Sequence, residues 1–444
     1  MTRLGAGVRG RFPALKARKG RIAPAYLDSA CMSLVPMSVL ESMREYYTDY
    51  PGCAGRSVHR FSEEVSLRFE GARARFAEFF GAPGGAPSVV FLRNATEAIN
   101  LVAHGLDWKP GDSVLLSDQE HNSNLVPWQD LARRRGIRLE FVRLPSDRPF
   151  DSERFEAALA TRPRLVSLFH ASNLDGRCLP AREIVERAHD RGALVLFDGC
   201  QAAPHRRVDL GKIGADFYAI SSHKMLGPTG TGVLLGAPKP LAELAPSLLG
   251  GETVEWSTLS GHALRPPPHR FEAGLQNYAG VLGAAEGLRF LSRVGLDEVE
   301  AHDRALNERV TRALEDEPRV QRVGPPEVRD RPSIFAFSLL GVDANDAAFF
   351  LDAAQGVMVR SGRHCVHSWY EERGLAATVR ASFYLYNTPG DVDRLLAGVE
   401  ELLSRVPGPS GRPKARPSRS VSGTSARRSA RRNRPRPSRR RAAG

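Results

Sequence analysis

The chain has 444 residues, 42% hydrophobic and 25% charged, an ordinary globular composition long enough for two packed domains with substantial cores. No stretch approaches about 18 consecutive apolar residues, so no membrane span is expected. The formal net charge is +13, but 12 Arg and one Lys, with no Asp or Glu, lie from Pro407 onward, leaving 50 basic and 50 acidic residues before it.

The first 25 residues form a basic segment, with seven Lys or Arg ahead of Asp28 and no apolar core of a secretory signal. Val65, Phe69, Ala72, Phe76 and Phe79 then recur at steps of three and four, which predicts a helix face. Short apolar runs follow and read as strands at 88–92, 113–117, 138–142, 165–169, 193–197, 217–220 and 232–235, alternating with helical segments at 98–106 and 180–190. Such alternation predicts an α/β layer with a mainly parallel sheet, in which ligands collect at the carboxyl ends of strands. A connector helix at 278–294 leads to strands at 333–339, 356–360 and 378–384 with helices at 345–354 and 390–403, the pattern of a smaller α+β domain. The expected organisation is a large domain over 26–285, a small one over 286–406, and a disordered Arg-rich tail over 407–444.

The most informative residue is Lys224, which ends Ser221-Ser222-His223-Lys224 after the run 217–220 and precedes Gly227-Pro228-Thr229-Gly230. Asp198 closes the run 193–197, with Gln201 three positions on. A lysine and a carboxylate at neighbouring strand ends suit pyridoxal phosphate: the amine bonds the aldehyde and the carboxylate pairs with the protonated pyridine nitrogen. Gln201 is placed to reach the ring hydroxyl. Asn94-Ala95-Thr96-Glu97, between a strand and a helix, supplies the N-terminal amides and hydroxyl a phosphate needs, with Ser221 and His223 as further donors. His121, past strand 113–117, sits where its ring can stack on the pyridine, and Asn173, past strand 165–169, can touch the ring hydroxyl or the substrate.

Five cysteines without a Cys-x-x-Cys pair argue against a disulfide framework or structural zinc and fit a reducing cytosol. Cys365 lies in Gly362-Arg363-His364-Cys365-Val366-His367, where Arg360, Arg363, His364 and His367 are the cationic neighbours that favour a thiolate. The same residues lack a second ligand pair of metal-site spacing, so no metal is expected. Arg380 can clamp a substrate carboxylate bidentately, with Arg360 as a second cation. Thirteen cations in the tail also raise nucleic-acid binding as a function of another class, but no aromatic residue there can stack on bases, which favours a solvated extension.

Taken in order, these motifs resemble fold type I enzymes of the class V aminotransferase family, in the cysteine desulfurase and selenocysteine lyase branch. The resemblance covers residues 26–403 and rests on Tyr26-Leu27-Asp28-Ser29-Ala30, Arg56-Ser57-Val58-His59, Ala95-Thr96-Glu97-Ala98-Ile99-Asn100, Glu120-His121-Asn122-Ser123-Asn124 and Asp198-Gly199-Cys200-Gln201. It continues through Ser221-Ser222-His223-Lys224, Arg270-Phe271-Glu272-Ala273-Gly274, Arg360-Ser361-Gly362-Arg363-His364-Cys365 and Arg380-Ala381-Ser382. It implies conversion of L-cysteine to L-alanine, Lys224 as the cofactor-linked lysine and Cys365 as the persulfide carrier. It also implies a homodimer, and a sulfur-acceptor protein such as one of iron–sulfur cluster assembly. L-Selenocysteine is the alternative substrate, and a plain class V aminotransferase or lyase a further alternative. The short segment around Cys365 is more like the group II branch. Leu275 stands where many relatives carry a threonine that reaches the phosphate across the dimer, a contact Leu275 cannot make.

Overall fold

The computed structural model describes residues 4–17 and 22–406. Its centre is a seven-stranded sheet in the spatial order Val89–Leu92, Gly232–Gly236, Phe217–Ser221, Leu194–Asp198, Leu165–Phe169, Ser113–Ser117 and Arg138–Val142. Gly232–Gly236 runs antiparallel to both neighbours, and the other six strands share one direction. Successive side chains alternate between two apolar layers: Leu115, Val166, Phe197 and Ile220 enter one, and Leu116, Leu165, Leu196 and Ala219 the other. Burial on both faces explains why these strands read as continuous apolar runs. The expected strands agree with the observed ones to within a residue at each end.

A second sheet is fully antiparallel, in the order Val320–Val323, Ile334–Leu339, Thr378–Ser382, Arg360–Gly362. Helices Leu296–Leu314, Ala344–Gln355 and Pro389–Arg405 cover it around Phe335, Phe337, Val310, Leu351 and Val399. Helix Tyr278–Val294 runs unbroken through the expected boundary at 285/286, and both sheets belong to one compact unit.

Two expectations need correction. The single strand expected at 356–360 is two: Val357–Met358 pairs in parallel with Ala25–Tyr26, whereas Arg360–Gly362 joins Thr378–Ser382. The strand expected at 378–384 ends at Ser382. The basic N-terminal segment is also packed: Phe12 is fully buried against Phe290 and Tyr386, with Val8 and Leu15 in the same core. Its backbone is tied to the body where Gly5 N–H donates to Leu385 O at 2.7 Å and Met37 N–H to Arg11 O at 2.9 Å. The Arg-rich tail, 407–444, lies outside the described residues. Among the described residues no helix is long and apolar enough to cross a membrane.

Residues 25–34 strap the two sheets to the site. Ala30 N–H donates to Ser382 Oγ at 2.9 Å, Ser33 N–H to His223 O at 2.8 Å, and Gln201 Nε2 to Ala30 O at 2.7 Å. A run of small and polar residues can make these close crossings, which accounts for the Ser29-Ala30 sequence beside Asp28.

Candidate active site

Parallel strands deliver their carboxyl ends to one edge of the central sheet, and the sequence-predicted residues gather there. Past Leu92, Asn94 caps helix Ala95–Gly105 by accepting from the Glu97 amide at 3.0 Å. The Ala95 amide donates to Ser221 Oγ at 2.9 Å, and Thr96 Oγ1 lies 2.8 Å from Ser123 Oγ. This helix start sits against strand Gly232–Gly236: a Cβ on Gly232 would fall 2.4 Å from Asn94 Cα, so only glycine allows the approach.

Asp198 ends its strand in register with Ala219, and the next strand's continuation is the 3-10 turn Ser222–Lys224. Carboxylate and lysine therefore project from adjacent strand ends. A Cβ on Gly199 would meet the Tyr218 ring at 2.0 Å, so glycine is required directly after Asp198. His121 accepts the Ser123 amide at Nδ1 (3.0 Å), which leaves the proton of the neutral ring on Nε2. Burial, then the charge of Lys224, lowers its pKa to about 4, and the same two causes lower His223 to about 4.

Beneath His121, Glu120 is fully buried. Its carboxylate accepts from Ser117 Oγ at 2.6 Å, Asn124 Nδ2 at 2.8 Å and the Phe169 amide at 3.3 Å. Burial dominates and pushes its pKa up to about 8; the charge of Asp198 acts the same way and the three donors oppose it.

The opposite wall comes from the second sheet. Arg360 and Arg380 are directly paired across it. Arg380, 1% exposed, donates from Nη1 to Asn173 O at 2.7 Å and from Nη2 to Asp28 Oδ1 at 3.1 Å, and its buried Nε has no protein partner. Burial outweighs Arg380 and raises the pKa of Asp28. Arg360 donates from Nη1 to Cys31 Sγ at 2.8 Å and from Nη2 to Cys365 Sγ at 3.7 Å.

His364 and Cys365 hold left-handed backbone, φ 49° and 60°, which costs a non-glycine residue energy. Asn173 Nδ2 donates to His364 O at 2.6 Å and Asn122 N–H to Cys365 O at 2.8 Å, fixing the turn that presents the thiol. The cationic ring expected around Cys365 is narrower than its sequence suggests. Arg363 pairs with Glu371, and burial, then Arg380, keeps His364 uncharged. His367 bonds Asn122, so among these four Arg360 is the cation in contact with the sulfur.

Lys224, Cys365, His121, Ala95, Thr96, Asn173, Asp198, Gln201, Ser221, His223, Arg360 and Arg380 all line a single cavity of about 200 Å³. Asn94, Ser123, Phe169 and Cys31 line it too and were not singled out by sequence reasoning. Asn94 and Ser123 stand inside motifs already noted, whereas no local signal marks Cys31. A larger cavity of about 780 Å³ lies between helices Met37–Asp49, Arg60–Phe79 and Tyr278–Val294 and contains no Lys, Cys or His, so it lacks the chemistry. Among the described residues no cluster of three His, Cys, Asp or Glu can hold a metal ion, and all five cysteines are free.

The donor set fits pyridoxal phosphate. Lysine and carboxylate face one cavity, a helix N-terminus with hydroxyls lies alongside, and Gln201 Oε1 and Arg380 Nε are buried without protein partners at its wall. The class V aminotransferase family model matches residues 25–395. The chain is 38% identical over 384 residues to a probable cysteine desulfurase of Streptomyces coelicolor, covering 85% of this chain and 91% of that protein. It is 40% identical over 407 residues to probable cysteine desulfurase 2 of Mycobacterium leprae, covering 90% and 96%. Among solved structures, the apo cysteine desulfurase of Thermococcus onnurineus matches with TM-score 0.86 at 36% identity, over 91% of this chain and 99% of that one. The cysteine desulfurase CsdA of Escherichia coli matches with TM-score 0.82 at 33% identity, over 90% and 98%. The chain belongs to the class V aminotransferase family, in its cysteine desulfurase branch, and its cofactor is pyridoxal phosphate.

Proposed function

We propose that the protein removes sulfur from L-cysteine, releases L-alanine, and holds the sulfur on Cys365 for delivery to an acceptor. The observation that carries this reading is the single cavity shared by Lys224, Asp198 and Cys365, which come from both sheets. Bound pyridoxal phosphate supplies a sink for the electrons released at the substrate's α-carbon.

In this reading Lys224 Nζ anchors the cofactor covalently at rest and takes the substrate's α-proton during turnover. Asp198 keeps a proton on the pyridine nitrogen, Gln201 and Asn173 meet the ring oxygen, and His121 covers the ring face as a neutral imidazole. Ala95 N–H, Thr96, Ser221 and His223 receive the phosphate at the start of helix Ala95–Gly105. Arg380, with Asn173 and Arg360, grips the substrate carboxylate. Cys365 thiolate then attacks the substrate sulfur; the new S–S bond forms as the C–S bond breaks.

The same proposal includes lobes at 26–285 and 286–406, a cytoplasmic site of action, a sulfur-acceptor protein and a homodimer. Exposed Val58, Leu248, Leu249, Trp256, Leu259 and Leu275 support a partner-covered face. The test is a spectrum of the purified protein followed by L-cysteine and product analysis. A cofactor band and alanine are expected; pyruvate as product, or no cofactor uptake, contradicts the reading.

A further inference from the structure

The function proposed above uses one cysteine, yet the cavity holds two that share a cation. Cys31 lies on the strap directly after Ser29-Ala30, in a turn closed by its own N–H donating to Asp28 O at 3.0 Å. It lines the cavity with Cys365 and is partly exposed, and Arg360 contacts both sulfurs, Cys31 through Nη1 at 2.8 Å and Cys365 through Nη2 at 3.7 Å. Arg380, buried and with an unpartnered Nε, lines the same cavity. One guanidinium fork therefore spans the two thiols, able to stabilise negative charge on either and to follow it from one to the other.

We infer that Cys31 is a second sulfur carrier of this site, taking the sulfur atom from the Cys365 persulfide and freeing Cys365 for another turnover. The inference rests on the desulfurase reading. Cys31 thiolate attacks the outer sulfur of the persulfide, and a new S–S bond forms at Cys31. The S–S bond at Cys365 breaks, and its electron pair stays on Cys365 as a thiolate beside Arg360 Nη2. One S–S bond replaces another, so nothing is oxidised or reduced overall and no further reagent is needed. Cys31 and Cys365 are both partly exposed, so an acceptor thiol can reach sulfur carried on Cys31 while Cys365 stays on its constrained turn.

The test treats the holoenzyme with L-cysteine held to a small stoichiometric excess, because the substrate is itself a thiol, and with no reductant or other acceptor thiol, followed by desalting, alkylation, digestion and mass spectrometry of the two cysteine peptides. The expected result is an added sulfur on both Cys31 and Cys365, none on Cys31 in Cys365→Ala, and sulfur on Cys365 alone in Cys31→Ser. Serine preserves a polar partner for Arg360, so a merely structural role would survive this exchange. The alanine formed per site before turnover stalls should roughly halve in Cys31→Ser, because only one carrier remains to be filled. Sulfur confined to Cys365 in the unaltered protein, with equal alanine yields from Cys31→Ser, overturns the inference and leaves the desulfurase reading standing. So does a Cys31–Cys365 disulfide with free sulfide, or sulfur on Cys31 in Cys365→Ala. Alanine formed with no sulfur on either thiol overturns both.

Discussion

Arg380→Lys separates a substrate clamp from a structural cation. The arginine has five N–H donors, and the protein provides two acceptors, Asn173 O at 2.7 Å and Asp28 Oδ1 at 3.1 Å, leaving Nε and part of the fork for a ligand. A lysine has three donors. If two keep Asn173 and Asp28, one remains, and the substrate carboxylate loses one charge-assisted hydrogen bond of two. Such a bond is worth about 1.5–3 kcal/mol, so kcat/KM for L-cysteine should fall roughly 10- to 150-fold. The assay is alanine release against L-cysteine concentration, with thermal melting and cofactor absorbance measured on the same samples. Unaltered kcat/KM, or a loss matched by a collapse in melting temperature, would refute the clamp.

Two further consequences concern stability. Arg73, 1% exposed, holds both oxygens of buried Glu272 at 2.6 and 2.9 Å, and Glu272 also accepts the Phe91 amide at 2.7 Å. Glu272→Gln removes the buried one of the two carboxylates on the Arg73 guanidinium, which keeps Glu70 at 2.9 Å, and should cost about 1.5–3 kcal/mol in urea unfolding; a loss below about 1 kcal/mol, as for an exposed pair, would contradict this. His121 and His223, each lowered from 6.5 to about 4, bind fewer protons folded than unfolded in that interval. The stability they contribute is present above pH 6.5 and lost as pH falls to about 4. Glu120, raised to about 8, acts with the opposite sign over part of this window, so the comparison is of urea midpoints of the apo protein with those of His121→Gln: the fall towards pH 4 should be smaller in the variant, and an equal fall would contradict the assignment.

Much of the fold was legible because local pattern and tertiary environment agree. Ser113–Ser117 and Leu165–Phe169 are apolar runs buried on both faces, bounded by polar or turn residues, and no other element type suits them. Local reading failed where partners are remote. Residues 356–360 form one apolar-leaning run, but its halves go to different sheets, a choice made by Ala25–Tyr26 and Thr378–Ser382. The N-terminal segment reads as basic by charge count, which hides Val8, Phe12 and Leu15 on its packed side. In the site, Lys224, Asp198 and Cys365 announce themselves through strand ends and loop chemistry. Cys31 does not, because its partner Arg360 lies 329 residues away.

If Cys365 takes the sulfur while Lys224 and Asp198 hold the cofactor, the two functions should come apart in one variant. Cys365→Ala, loaded with pyridoxal phosphate and given L-cysteine, should keep the cofactor absorbance of the unaltered protein and form no alanine. Alanine formed at the unaltered rate would remove Cys365 from the reaction.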